Sequence, residues 1–218
     1  MIYDSLVEKI MQHFSSGDYT PEVIQAKKEF FERAGVFDES SEDFEVKAAQ
    51  FMDWYVFTRP LSQGQEPPVV KVAEGREYEI PNEEFAFYTN LRHHRHSLFE
   101  FIKSKGSEIH IKDLFSGYKH IVAESSVTEG FDRYAFFEAR IIPHEDHFVF
   151  ARAFCFHPPE VNKFILKEVK GVKKMAEADQ PEGRQKLIAR LFKMRYKYDQ
   201  YRHVDVSEIY SNNSKLRL

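Results

Sequence analysis

Chemistry in this chain of 218 residues would have to come from its ten histidines, its single cysteine or its basic side chains. Spacing narrows what each can do. His93, His94 and His96 crowd one short stretch, and His144 and His147 bracket Glu145-Asp146. Neutral imidazole is a common metal ligand, and a carboxylate between two histidines can join it. The His-Glu-Asp-His order is not the helical zinc-protease spacing, however, and its polar composition predicts a hairpin turn that needs no further cause. Cys155 and His157 stand two apart, on one side of any strand that reaches them. A nucleophilic thiol requires an accessible, electropositive setting with a base nearby. Phe154 and Phe156 flank this one, just ahead of Pro158-Pro159, so packing is the expectation. One thiol can form neither an internal disulfide nor a thiolate-rich zinc site. No Ser-elbow or phosphate loop is present. The expectation is therefore no catalytic residue, no metal and no cofactor; were the chain an enzyme, His120 or His157 would be the best candidates.

Two basic stripes stand out more clearly. Lys163, Lys167, Lys170 and Lys174 recur at i, i+4, i+7 and i+11, and Lys186, Arg190, Lys193 and Lys197 repeat that spacing. On helices each set forms one face, away from the main apolar stripe. Two such faces side by side would suit an acidic protein partner or nucleic acid, with Tyr196 or Tyr201 available for stacking. Charge is uneven overall. Met1 to Thr58 holds about twelve acidic and about five basic residues, while Glu160 to Val204 holds about twelve basic and about six acidic, within a net charge of −4. Such asymmetry speaks to partners rather than to fold.

The elements that must position these residues follow from hydrophobic period. Ile2, Leu6, Val7, Ile10 and Phe14 share a helical face that stops at Ser15-Ser16-Gly17-Asp18. Thr20-Pro21 opens a second helix with Val23, Ile24, Phe30 and Phe31 inward, ended by Gly35. A third follows the cap region Ser40 to Asp43 and carries Phe44, Ala48, Phe51, Met52 and Tyr55. Trp54 and Phe57 lie off that stripe, which predicts burial on more than one side. Residues 61–81 read as a connector in which Val69 to Val72 makes a short strand, and a short helix from Asn82 leads to Arg92 and Arg95, a basic hinge.

From Ser97 the period drops to two. Phe99 and Phe101, Ile109 and Ile111, then Tyr118, His120 and Val122, then Phe137, Ala139 and Ile141, then Phe148 to Phe156 mark five short strands. Asp113 with Ser116-Gly117 marks a tight turn in which the carboxylate bonds its own backbone. After Pro158-Pro159-Glu160 the helical period returns with Val161, Phe164, Ile165, Val169 and Val172. Gln180 to Gly183 separates this from a long helix carrying Leu187, Ile188, Leu191, Met194 and Tyr198, and the tail from Ser211 should fray. The expected fold is α+β: N-terminal helices, a small five-stranded antiparallel bent sheet or partial barrel, and two C-terminal helices. The expected regions are a helical 1–60, a connector 61–96, a β-rich unit 97–157, a helical pair 158–210 and a tail 211–218. Twenty-one phenylalanines supply an ample core.

Arg92-His93-His94-Arg95 with Asp113 to Gly117 is similar to the PilZ nucleotide-binding pattern, but the arginines stand one residue too close and the serine and glycine fall at the wrong interval. Ser97-Leu98-Phe99-Glu100-Phe101, Ile111-Lys112-Asp113-Leu114 and Ser116-Gly117, after the aromatic stretch Asp53 to Phe57, resemble a β-rich module of uncharacterised bacterial proteins, including some SEC-C-type proteins. The resemblance covers about half the chain. The SEC-C zinc motif requires several cysteines, so no chemistry follows from it. No run approaches the ~18 apolar residues of a membrane span, and the acidic N-terminus lacks a signal peptide's basic start. The expectation is thus a non-enzymatic cytoplasmic binding or adaptor protein with a protein partner, the alternative being nucleic-acid association through the C-terminal basic helix faces.

Overall fold

The helical period of the first segments is realised in a computed structural model that describes residues 2–34, 44–62, 66–75, 79–123, 131–132 and 134–213. The predicted stop at Gly35, the cap at 40–43, the break at Gly130 and the last five residues of the tail lie outside these. The chain divides into two compact units, Met1–Arg95 with Arg140–Ala153, and His96–Ala139 with Phe154–Leu218.

In the first unit, α1 (Ile2–His13), α2 (Thr20–Ala34) and α3 (Phe44–Phe57) pack through Leu6, Ile10, Phe14, Phe30, Phe51 and Tyr55. Ile24, expected on the inward face of α2, is exposed, and Ala26 is buried instead. The Tyr55 hydroxyl donates to the Phe14 carbonyl at 2.5 Å, so the ring's polar tip is satisfied inside the core. Phe57 is buried and Trp54 half-buried beside Phe30, which gives α3 the two buried sides its sequence required. Arg59, just past α3, grips Glu29 through Nε at 2.8 Å and Glu22 through an Nη at 2.8 Å. The Val69–Val72 run is not a strand. It belongs to α4 (Pro68–Ala73), where Pro68 occupies the first turn and its missing N–H is no loss. Four residues are too few to set a period. α5 (Phe85–Arg92) completes the helices of this unit among the described residues.

Five strands follow the predicted alternation: β1 (Arg95–Lys105), β2 (Glu108–Asp113), β3 (Lys119–Val122), β4 (Phe136–His144) and β5 (His147–His157). They form a closed barrel in the order β1-β2-β3-β5-β4, so β4 lies beside β1 in a Greek-key arrangement. The expected antiparallel bent sheet or partial barrel is corrected on two counts. The sheet closes, and it is mixed rather than wholly antiparallel. The second follows from the first: strand direction cannot alternate all the way round a closed ring of five, so at least one neighbouring pair must run parallel. Phe99, Phe131, Phe137, Phe154 and Phe156 pack ring on ring, with Phe137 centred 5.3 Å from both Phe131 and Phe156.

The Asp113 turn forms as expected. Asp113 Oδ1 accepts the backbone N–H groups of Phe115 at 2.8 Å and Ser116 at 2.9 Å, and Gly117 takes φ +79° to close it. Asp113→Ala leaves both donors unpaired and should lower unfolding stability by about 1–3 kcal/mol in a denaturant titration.

The second unit is completed by α6 (Asn162–Lys173), α7 (Gln180–Gln200) and the short α8 (Val206–Ile209). Their core joins Leu98 and Phe136 of the strands to Ile165, Val169, Leu187, Leu191, Met194 and Ile209. Gln180 to Gly183 is the first turn of α7 rather than a separator. A Cβ on Gly183 would stand 2.7 Å from Met175 Sδ, so a larger residue here requires the Met175 side chain to shift.

Candidate functional site

Several of the histidines, and the cysteine, sit in packing or hydrogen-bonding contacts. His144 and His147 meet at the β4–β5 turn with ring centroids 5.3 Å apart. The Tyr3 hydroxyl lies 3.0 Å from His144 Nδ1 and accepts from Asn90 Nδ2 at 3.0 Å. Among the described residues, no three histidine, cysteine, aspartate or glutamate side chains converge as a metal site. The arginines of the basic hinge, and His94 between them, each have a neighbour. Arg92 pairs with Glu74 at 3.1 Å, the His94 ring packs on Phe57, and Arg95 covers the Phe148 ring. His120 is buried edge-on to Phe99.

Cys155 and His157 do lie on one side of β5, as alternation required, and both are buried. Burial, reinforced by the nearby Glu138 charge, pushes the Cys155 thiol well above its ordinary value and keeps it protonated. Burial likewise lowers His157 to about 4, so the ring is neutral near pH 7. His157 Nδ1 meets the Tyr210 hydroxyl at 3.0 Å, while Nε2 is enclosed and finds no hydrogen-bond partner among the described residues. Arg195 donates to the Phe156 carbonyl at 2.7 Å and pairs with Asp199. These side chains form a buried polar layer.

The two lysine stripes behave differently. On α6 and its C-cap, Lys163, Lys167, Lys170 and Lys174 are exposed, none makes an ion pair among the described residues, and Leu166 stands among them at 47% exposure. On α7 the charges are largely answered. Lys186 pairs with Glu182 at 2.5 Å, Arg190 bonds Glu168 and Asn212, and Lys193 and Lys197 are half-buried. Burial, then the neighbouring Lys193, depresses the Lys197 amine. Burial opposes ionisation of Glu168, but the Asn212 and Arg190 bonds outweigh it and hold the carboxyl below its ordinary range. Of the two rings expected for stacking, Tyr196 is buried and Tyr201 is exposed.

One surface escaped the sequence reading. Residues directly opposite in antiparallel strands share a face, and the register sets Glu100, Lys112 and Lys119 in one row across β1, β2 and β3, with Lys103, His110 and Ile121 in the next. A bulge between Phe101 and Lys103 interrupts β1 there. The outcome is a groove of about 390 Å³ lined by Glu100, Phe101, Ile102, Lys112, Lys119 and Tyr134. Tyr118, grouped with His120 and Val122 on one strand face by alternation, precedes β3 and is 70% exposed, whereas His120 and Val122 are buried. The alternation of Lys112 and Lys119 with buried neighbours was the available signal, but the register that joins them was not.

The family model that matches residues 2–204 describes a family of unknown function, DUF7986. The chain belongs to DUF7986. No curated protein and no solved structure matches it. The DUF7986 span takes in both lysine stripes and the whole groove, and stops short of α8 and of Tyr210, the partner of His157. Among the described residues, no helix is long and apolar enough to cross a membrane.

Proposed function

We propose that this DUF7986 chain is an adaptor, a binding protein that does no chemistry on its ligand and takes an acidic protein segment on the exposed face of α6. The observation that carries this is the run Lys163, Lys167, Lys170 and Lys174, solvent-facing and without ion pairs among the described residues, with exposed Leu166 between them. Lysines steer an acidic partner, and an apolar side chain inside the stripe gives it an anchor. The α7 stripe adds little, because Glu182 and Glu168 already occupy two of its cations. A buried, protonated Cys155 suits a reducing compartment, and the cytoplasm is the proposed location.

The test is fluorescence anisotropy with a labelled amphipathic peptide of glutamates and leucines. Lys167→Glu with Lys170→Glu should weaken binding at least tenfold, as should Leu166→Ser, whereas Lys186→Glu should change it less than threefold. Equal binding by the parent and the Lys167/Lys170 variant would refute the assignment.

A further inference from the structure

The geometry points to a second binding surface, independent of α6: the outer face of β1, β2 and β3 takes single-stranded nucleic acid along the Lys112–Lys119 groove. Charge is the first reason. The outward side chains of these strands include Lys103, Lys105, Lys112 and Lys119 against two carboxylates, Glu100 and Glu108. Glu100 is engaged by Lys112 at 3.6 Å, and Glu108 lies 3.3 Å from His110. Lys103, Lys105 and Lys119 are exposed and make no ion pair among the described residues. Three cations remain for phosphates, spread over strands whose spacing of about 4.8 Å suits an extended chain.

Exposed aromatic rings are the second reason, and they distinguish a single strand from an acidic peptide or a duplex. Tyr134 is 65% exposed and lines the groove. Its backbone sits at φ +66°, a conformation unfavourable for an aromatic residue, and Asn162 Nδ2 holds its carbonyl at 2.9 Å. Tyr118, next to Lys119, is tethered through its backbone to Asp113 and Ser116 while its ring stands in solvent. Tyr134 thus lies in the groove beside Lys112 and Lys119, Tyr118 stands directly before Lys119 at the start of β3, and both rings are exposed. Bases of a single strand stack on such rings whatever their sequence, whereas paired bases cannot reach them.

The test uses the full chain and a labelled oligothymidylate of about 12 nucleotides, titrated by anisotropy over a salt series. Binding should weaken with a log–log salt slope near −2 for about three phosphate contacts. Tyr118→Ala and Tyr134→Ala should each weaken it about tenfold. Lys103→Gln with Lys119→Gln should cut the slope by about 1.4. All four changes are at exposed side chains, so thermal unfolding should match the parent. The α6 reversals should leave this binding unchanged, which separates its failure from that of the adaptor reading. No binding at low salt, equal affinity for a duplex of the same length, or binding indifferent to both the tyrosine and the lysine variants would overturn the assignment. So would displacement of the oligonucleotide from parent and groove variants alike by the acidic peptide.

Discussion

Arg140→Met should lower the unfolding free energy by about 3–5 kcal/mol, the largest loss expected from any single substitution considered for this chain. Arg140 is 4% exposed and Asp53 3% exposed. The guanidinium reaches Asp53 Oδ2 at 3.3 Å, bonds the Thr58 hydroxyl and lies over the Phe57 ring. Methionine fills much of the space but takes the guanidinium away from the buried Asp53 carboxylate, and removing one member of a buried ion pair is the costly change. Asp53→Asn should be milder, since an amide can still accept from Arg140. The pair Arg140→Met with Asp53→Leu should recover much of the loss, because an apolar pair of similar volume removes both members of the ion pair together. Urea titration of the four proteins decides this. A loss below about 1 kcal/mol for Arg140→Met would mean that water reaches Asp53.

Acidification should destabilise the protein through His157. Its folded-state value is lowered to about 4 against an ordinary 6.5. Burial is the first cause, opposed by the Glu138 charge and aided by Arg195. Cys155 and Tyr210 face the same layer, and burial raises both above their ordinary values, so they stay neutral. A base with a depressed folded-state value is protonated first in the unfolded chain. Between those two values the unfolded state binds more protons, and stability falls as pH falls. The contribution is full above about pH 6.5 and is lost towards pH 4, with about 2 kcal/mol gone by pH 5. His157→Gln removes the titrating ring and keeps a side chain able to bond Tyr210. Denaturant titrations at pH 7.5 and pH 5 should therefore show a smaller drop in the variant by about that amount. Equal drops would place the ring in contact with solvent.

Both effects depend on groups far apart in sequence, and that separates what could be read from what could not. The helical period around Leu6, Phe30 and Leu191, the alternation through Ile109 and Ile111, and the Asp113 turn were legible because each is decided within a few residues. Short elements were not: Val69–Val72 fits a strand or a helix equally, and Tyr118 lies one residue outside the strand to which alternation assigns it. The α7 stripe looked identical to that of α6 until packing brought Glu168 to Arg190.

The sequence by itself determined an α+β chain with helical ends, a five-stranded middle, a buried thiol and a lysine face on α6. These follow from local period and from side-chain chemistry that does not depend on distant neighbours. Tertiary structure alone decided the closure of the barrel, the Asp53–Arg140 pair, the burial that neutralises His157, and the row that brings Lys112 and Lys119 together. The reason is that register and long-range pairing are set by the mutual fit of whole elements, which no local stretch of residues encodes.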